Sequence, residues 1–273
     1  MSAPGVAREP GGDHLHRMSD PSQPDTVSFG ARDVAPGEKA GLVRGVFDSV
    51  ATRYDEMNDL MSAGVHRAWK RVLLDRLAPQ PGQALIDVAG GTGDVALGFL
   101  ERAAVRPPRG RPPARAAVCD INHAMMRAGQ SRDEPGLAPV RVCGDAEALP
   151  FPDASFDAYT IAFGIRNVTR RGRALAEARR VLRRGGRLMV LEFSRPVTES
   201  FAALYDAYSE AVIPRLGRIV AGDEDSYRYL VESIRRFPPQ DAFAAEVEAA
   251  GFSRVRFENL TGGVAAIHSG WKT

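Results

Sequence analysis

"LIDVAGGTGDVAL", residues 85–97, sets an apolar strand against a glycine-rich turn and the first residues of a helix. A turn of this kind gathers backbone N–H groups and a helix N-terminus around a nucleotide. Gly91, Gly93 and Ala96 match the loose G-x-G-x-x-G/A spacing of dinucleotide sites. That match is weak, because many β-turn-α units with small residues satisfy it. No Lys-Ser/Thr pair follows the glycines, which excludes a Walker phosphate loop. The choice among nucleoside-bearing cofactors therefore rests on the rest of the chain.

Outward from this turn, strand-like and helix-like patterns alternate. Strands are expected at 84–89, 116–120, 139–146, 155–164 and 185–194, with helices at 93–103, 122–132 and 172–183. Asn122 reads as a helix cap, and the Gly185–Gly186 pair as the end of the helix before it. Upstream, residues 46–77 carry apolar groups at helical spacing with a break near Ser62–Gly64. Downstream come helical stretches at 198–217, 223–236 and 240–250, then the strands "FSRVRFENL" and "GVAAIHSGW". The order implies an α/β fold with a doubly wound, mostly parallel, Rossmann-like sheet. N-terminal cap helices and an antiparallel C-terminal edge pair complete it, and ligands belong at the carboxyl ends of the strands.

The 273 residues suit one domain with appendages. Residues 1–38, rich in Pro, Gly, Asp and Ser, read as a disordered arm, and 39–273 as the domain. Within it the Pro/Arg-rich segment 104–116 is an inserted loop between helix and strand, away from the strand ends that would hold a ligand. A net charge of +2 gives no global reason to expect nucleic acid as a partner. Cys119 and Cys143, each ending a strand-like run, read as buried thiols in a reducing compartment. With no apolar run near 18 residues and no signal-peptide pattern, the expected location is the cytoplasm. No cluster suggests a metal site; His14 and His16 fall in the arm.

Acidic residues stand at the ends of three successive strands: Asp87, Asp120 and Asp145. A carboxylate after the second strand accepts hydrogen bonds from ribose hydroxyls. Three carboxylates around one pocket repel a pyrophosphate and suit a cation. S-adenosylmethionine combines adenosine with a sulfonium and an ammonium group and carries no phosphate, so the electrostatics favour it. Any one of these aspartates read alone serves equally well as a helix cap or turn former.

"DVAGGTGD", "GDAEALPFPDASFD" and "VLRRGGRLMVLEFS" resemble the successive motifs of class I S-adenosylmethionine-dependent methyltransferases. "VFDSVATRYDEMNDLMSAGVHRAWK", "IAFGIRNV", "YSEAVIPRLGRIVAGDEDSYRYLVESIRRFPPQ" and "NLTGGVAAIHSGWK" narrow the resemblance to the ubiquinone/menaquinone biosynthesis C-methyltransferases, from about Val46 to Lys272. That family methylates a ring carbon of a polyprenylated quinol. The resemblance implies cofactor contacts from Thr92, Asp120, and Asp145 with Ala146. Together with the glycine turn and strand ends, the expected cofactor site is Asp87, Gly91, Thr92, Gly93, Asp120, Ile121, Asp145, Ala146 and Ala162. Ala162 stands where a Ser is common, and Ala89 replaces the first Gly of the usual methyltransferase turn.

On this reading Arg166, just past the fourth strand, stabilises a developing phenolate, because an arginine is always charged and a poor base. Asn167 orients the ring oxygens, and Tyr54 closes the site. The competing reading of Arg166 is a salt bridge to Asp48 or Asp55. The stripe Phe201, Leu204, Tyr205, Tyr208 and Val212 is either ordinary helix core or the lining of an isoprenoid tunnel. Peripheral contact with the inner face of the cytoplasmic membrane, a homodimer and a quinone-biosynthesis complex all stay open. So do three other functions: an O- or N-methyltransferase of another small molecule, an NAD-dependent dehydrogenase, and an inactive binding protein of the same fold.

Overall fold

Strand β3 (Ala84–Val88) is buried at all five positions, as an apolar run in a parallel sheet must be. Its alternation decides both layers. Ala84, Ile86 and Val88 point to one core, Leu85 to the other, and Asp87 shares the Leu85 face. In the computed structural model, residues 26–50, 62, 64–198 and 224–273 are described.

The chain opens with a short hairpin, β1 (Val27–Phe29) and β2 (Arg32–Val34), followed by helices α1 (Pro36–Val50) and α2 (His66–Leu77). After β3 come α3 (Asp94–Ala104), β4 (Arg115–Asp120), α4 (His123–Gln130), β5 (Val140–Cys143) and β6 (Phe156–Ala162). Then follow α5 (Arg171–Val181), β7 (Leu182–Phe193), α6 (Glu224–Arg236), α7 (Gln240–Ala249), β8 (Ser253–Leu260) and β9 (Ala265–Trp271). The main sheet has the order β5-β4-β3-β6-β7-β9-β8. Strands β3 to β7 run parallel, and β9 lies antiparallel to both β7 and β8, closing the sheet as the sequence implied. Strand order reverses at β3, between β4 and β6, the crevice where open α/β sheets bind ligands.

One face of the sheet packs Trp69, Leu73, Phe99 and the α6 residues Leu230 and Ile234. The other packs Leu175, Ala178, Phe243 and Val247. The inserted segment leads from α3 into the N-terminal end of β4, opposite the carboxyl ends of the strands, and Arg115 N–H donates to the Gln83 carbonyl there.

Three expectations need correction. The arm is not structureless from 26 onward. Residues 27–34 form the hairpin, because Phe29 is buried and stacks on Tyr229 at 4.4 Å, a tertiary contact that local composition does not carry. Residues 1–25 lie outside the described residues. The Gly185–Gly186 pair does not end α5. It lies inside β7, where pairing jumps from Phe156–Leu182 to Ala158–Arg187 and Gly185 takes φ +76 to absorb the bulge. Cys119 is buried, but Cys143 is exposed, since β5 is an edge strand with a neighbour on one side only.

Helix α4 meets the glycine turn backbone to backbone at Gly129. A Cβ there would fall 2.7 Å from the carbonyl carbon of Thr92 and closer still to its oxygen. Gly129→Ala gains about 1 kcal/mol of helix propensity but forces apart two backbones, a strain of about 1–3 kcal/mol or more. Net destabilisation in urea unfolding is expected; a more stable Ala variant would show that α4 gives way freely.

Candidate active site

The carboxyl ends of β3, β4, β5 and β6 open into one cleft. Asp87, Gly91, Thr92, Asp120, Ile121, Asp145, Ala146, Ala162 and Asn167, all singled out in the sequence, line it together. Gly93 does not. It sits at the N-cap of α3 with φ +86, its N–H on the Gly90 carbonyl at 2.8 Å, so it shapes the turn. Tyr54 and the stripe 201–212 lie outside the described residues.

The turn is built by close approach. Ala89 is held at φ +49, a left-handed conformation that costs a non-glycine residue about 1–2 kcal/mol. Its methyl explains Gly164 on the facing loop: a Cβ at 164 would stand 2.5 Å from the Cβ of Ala89. A Cβ at Gly90 would lie 2.7 Å from Asp87 Oδ2.

Asp87 is 1% exposed. Thr160 Oγ1 donates to its Oδ1 at 2.7 Å, while Oδ2 is buried with no hydrogen-bond partner among the described residues. Burial pushes its carboxyl up to about 7, against the pull of Thr160 and Lys70. Asp120 accepts from the Gly91 N–H (2.8 Å) and the Asn122 N–H (2.7 Å), which fix its orientation and leave lone pairs for ribose hydroxyls. Burial raises its pKa, and the backbone donors oppose this. Asp145 takes the Glu147 N–H at 2.9 Å, and the Asn122 cap is seen as predicted, accepting from Met125 N–H at 3.0 Å.

Sequence reasoning passed over Lys70, Asp94, Met125 and Glu147, which also line the cleft. Asp94 opens α3 directly after the turn, where a helix N-terminus favours an acid. It binds Lys70 at 2.8 Å and Arg132 at 2.6 Å, and although burial works against it, these cations hold its carboxyl below the usual range. Five acidic residues (87, 94, 120, 145 and 147) thus line the cleft. Asp94 is paired with Lys70 and Arg132, and Glu147 with Arg170 at 2.6 Å, while Asp87, Asp120 and Asp145 have no ion pair among the described residues. Such a wall rejects pyrophosphate and attracts a cation. S-adenosylmethionine fits it: the partnerless Asp87 oxygen suits a positive group, Asp120 the ribose, and Ile121 with Met125 an apolar base face.

Arg166 is not on the cleft wall. It is buried behind Phe163, Gly164 and Asn167, and it pairs with Glu192 on β7 at 2.7 Å; Asp55 and the side chain of Asp48 lie outside the described residues. Nη1 also donates to the Phe163 carbonyl at 2.6 Å, and Nε to Ser233 Oγ on α6 at 3.3 Å. Phe163 itself stands at φ +59, so the guanidinium helps hold a strained turn that faces the cleft. Burial raises the Glu192 carboxyl, opposed by Arg166 and by the N–H groups of Phe193 and Arg166. A different cation lies behind this end of the cleft. Lys39 of α1 is buried, donates to the carbonyl of the lining residue Val168 at 3.2 Å, and is pushed by burial down to about 8.

Strand order, turn and acid-lined cleft define a class I methyltransferase fold. An S-adenosylmethionine-dependent methyltransferase of Thermotoga maritima superposes with a TM-score of 0.57 at 19% identity, over 84% of this chain and 99% of that one. The chain belongs to the ubiE/COQ5 methyltransferase family, whose sequence model matches residues 33–272. The ubiquinone/menaquinone biosynthesis C-methyltransferase UbiE of Paracoccus denitrificans is 59% identical over 255 residues, covering 92% of this chain and 99% of the relative. Its counterpart in Caulobacter vibrioides is 58% identical over 248 residues, covering 90% and 98%.

Two outcomes follow from the charges. In the ligand-free protein Asp87 has a carboxyl pKa raised above its unfolded value, so its contribution to stability is fully present below about pH 4 and is lost as pH rises through about 7. Asp87→Asn should therefore stabilise the free protein more at pH 8 than at pH 5, while weakening S-adenosylmethionine in calorimetric titration. Equal urea midpoints for variant and parent at both pH values would refute the first half; undiminished affinity would refute the second. For Arg166→Ala, the loss of its buried partner leaves Glu192 uncompensated, and a drop of about 3–5 kcal/mol in unfolding free energy is expected. Adding Glu192→Gln should restore part of it. A fully stable Arg166→Ala protein without turnover would instead return Arg166 to the chemistry.

Proposed function

We propose that this chain transfers the methyl group of S-adenosylmethionine to a ring carbon of a polyprenylated quinol. The products would be menaquinol from demethylmenaquinol, the 5-methyl product of 2-methoxy-6-polyprenyl-1,4-benzoquinol, or both. The observation that carries the reading is the acid wall with its partnerless Asp87 oxygen, in a chain 59% identical to a quinone-biosynthesis C-methyltransferase.

When bound, S-adenosylmethionine supplies an electrophilic methyl on a cationic sulfur. Asp87, Asp120, Asp145 and the turn at Gly91–Thr92 would hold it, and the remaining wall fits an aromatic acceptor. Val43, Phe163 and Val168 offer apolar surface there, with Asn167 supplying an amide among them. An aromatic carbon becomes nucleophilic as the neighbouring ring hydroxyl ionises, and a phenol with an ordinary pKa of about 10 needs help to do so at neutral pH. Positive charge near the developing oxyanion provides that help. Arg166 is neutralised by Glu192, which leaves it to hold the loop. Lys39, whose ammonium has no carboxylate within ion-pair distance among the described residues, is the better source of field at this end. Nothing in this reading uses a metal.

Among the described residues no helix is long and apolar enough to cross a membrane. Peripheral contact, a dimer or a larger assembly belong to this reading only as routes by which the polyprenyl substrate arrives.

Purified protein should convert a short-tailed demethylmenaquinol or benzoquinol, with S-adenosylmethionine, to a product one methyl heavier whose new group NMR locates on carbon. An O-methylated product would move the chain to a different methyltransferase class. Saturable NAD binding, or methylation of soluble acceptors alone, would also sink the reading.

A further inference from the structure

Asn167 is the one lining residue from the IRN turn (Ile165–Asn167) with a side chain able both to donate and to accept hydrogen bonds. A carboxamide can present either end to a ligand, and its two ends ask for opposite partners. Here one end is taken. The hydroxyl of Tyr229, on α6, donates to Asn167 Oδ1 at 3.0 Å. A phenol held there as donor leaves the amide's NH2 group as the end free to face a ligand.

Tyr229 is itself held from behind. It is 5% exposed, and its ring stacks on Phe29 of the N-terminal hairpin with an interplanar angle of 26°. The hairpin is tied to the same helix by Ala31 N–H to Glu232 Oε2 at 2.7 Å and by Arg236 to Asp33 at 2.6 Å. One turn further along α6, Ser233 accepts from Arg166, so two successive turns of that helix grip the loop that carries Asn167.

We propose that Tyr229 is a positioning residue: its hydroxyl fixes the Asn167 carboxamide so that the NH2 group points into the cleft as a donor to a ring oxygen of the acceptor. The hairpin at residues 27–34 is the clamp that keeps the Tyr229 ring in place. The donor role of Asn167 rests on the quinol reading above; the orientation of the amide does not. Burial pushes the Tyr229 hydroxyl up to about 12, which keeps it protonated and donating across the neutral range.

The test is Tyr229→Phe, which keeps the ring on Phe29 and removes only the hydroxyl. The Asn167 side-chain NH2 pair in a 15N spectrum, identified by its loss in Asn167→Ala, should shift or broaden in Tyr229→Phe. Turnover of the quinol should fall about 10-fold or more, the order of a lost oriented contact, with S-adenosylmethionine affinity within a factor of two. In the Asn167→Ala background, Tyr229→Phe should have no further effect on kcat. An unchanged NH2 signal overturns the proposal, and so do two kcat losses that simply multiply. A wild-type protein that methylates no quinol would remove the substrate reading, and the spectrum would still decide whether Tyr229 sets the amide.

Discussion

Glu192 sits near the end of β7, its side chain about 1% exposed, and an ionised carboxylate there has no water to hold it. Its tolerance depends on the guanidinium 2.7 Å away, and nearly everything at that end of the sheet depends on the same pair. Arg166 reaches Glu192 only because the chain leaves β6 through a left-handed Phe163 and a single 3-10 turn. In return it ties the Phe163 carbonyl and Ser233 to the same point. One buried pair thus joins β6, β7 and α6. Removing both charges together is a milder change than removing one, since the cost lies in the unpaired ion.

The cleft is governed by the opposite condition, an excess of one sign of charge. Carboxylates gathered at successive strand ends disfavour each other and are raised by burial, as at Asp87 and Asp120. A protein accepts such an arrangement where a cationic ligand relieves it. In the proposed reading the two sides of the cleft divide the labour: the acidic side would hold the cofactor, and the apolar surface with the Asn167 amide would hold the acceptor.

Much of this was legible in the sequence because it is local. Buried strands announce themselves as apolar runs, the Asn122 cap by its place before a helix, and Asp87, Asp120 and Asp145 by their register at strand ends. What escaped was long-range. The hairpin has three-residue strands and depends on Tyr229, 200 positions after Phe29. Lys70 belongs to a helix whose pattern says only which face is buried, not that it ends beside Asp94. Arg166 was noticed for its position after β6, but its partner lies 26 residues away. The available signal was the lone Glu in "LMVLEF", an acid in the otherwise apolar second half of β7 that had to find a cation.

The crowding of Ala89 against Gly164 limits how this molecule can vary over time. While residue 89 keeps its methyl, position 164 has no room for any side chain, because the two Cβ atoms would stand 2.5 Å apart. A lineage that first changes residue 89 to glycine removes that particular obstacle at 164; one that changes 164 first meets it at once. The order of substitution therefore matters more than the identity of either residue. Two neighbouring sequences with the same pair of endpoints are joined by one passable route and one blocked one.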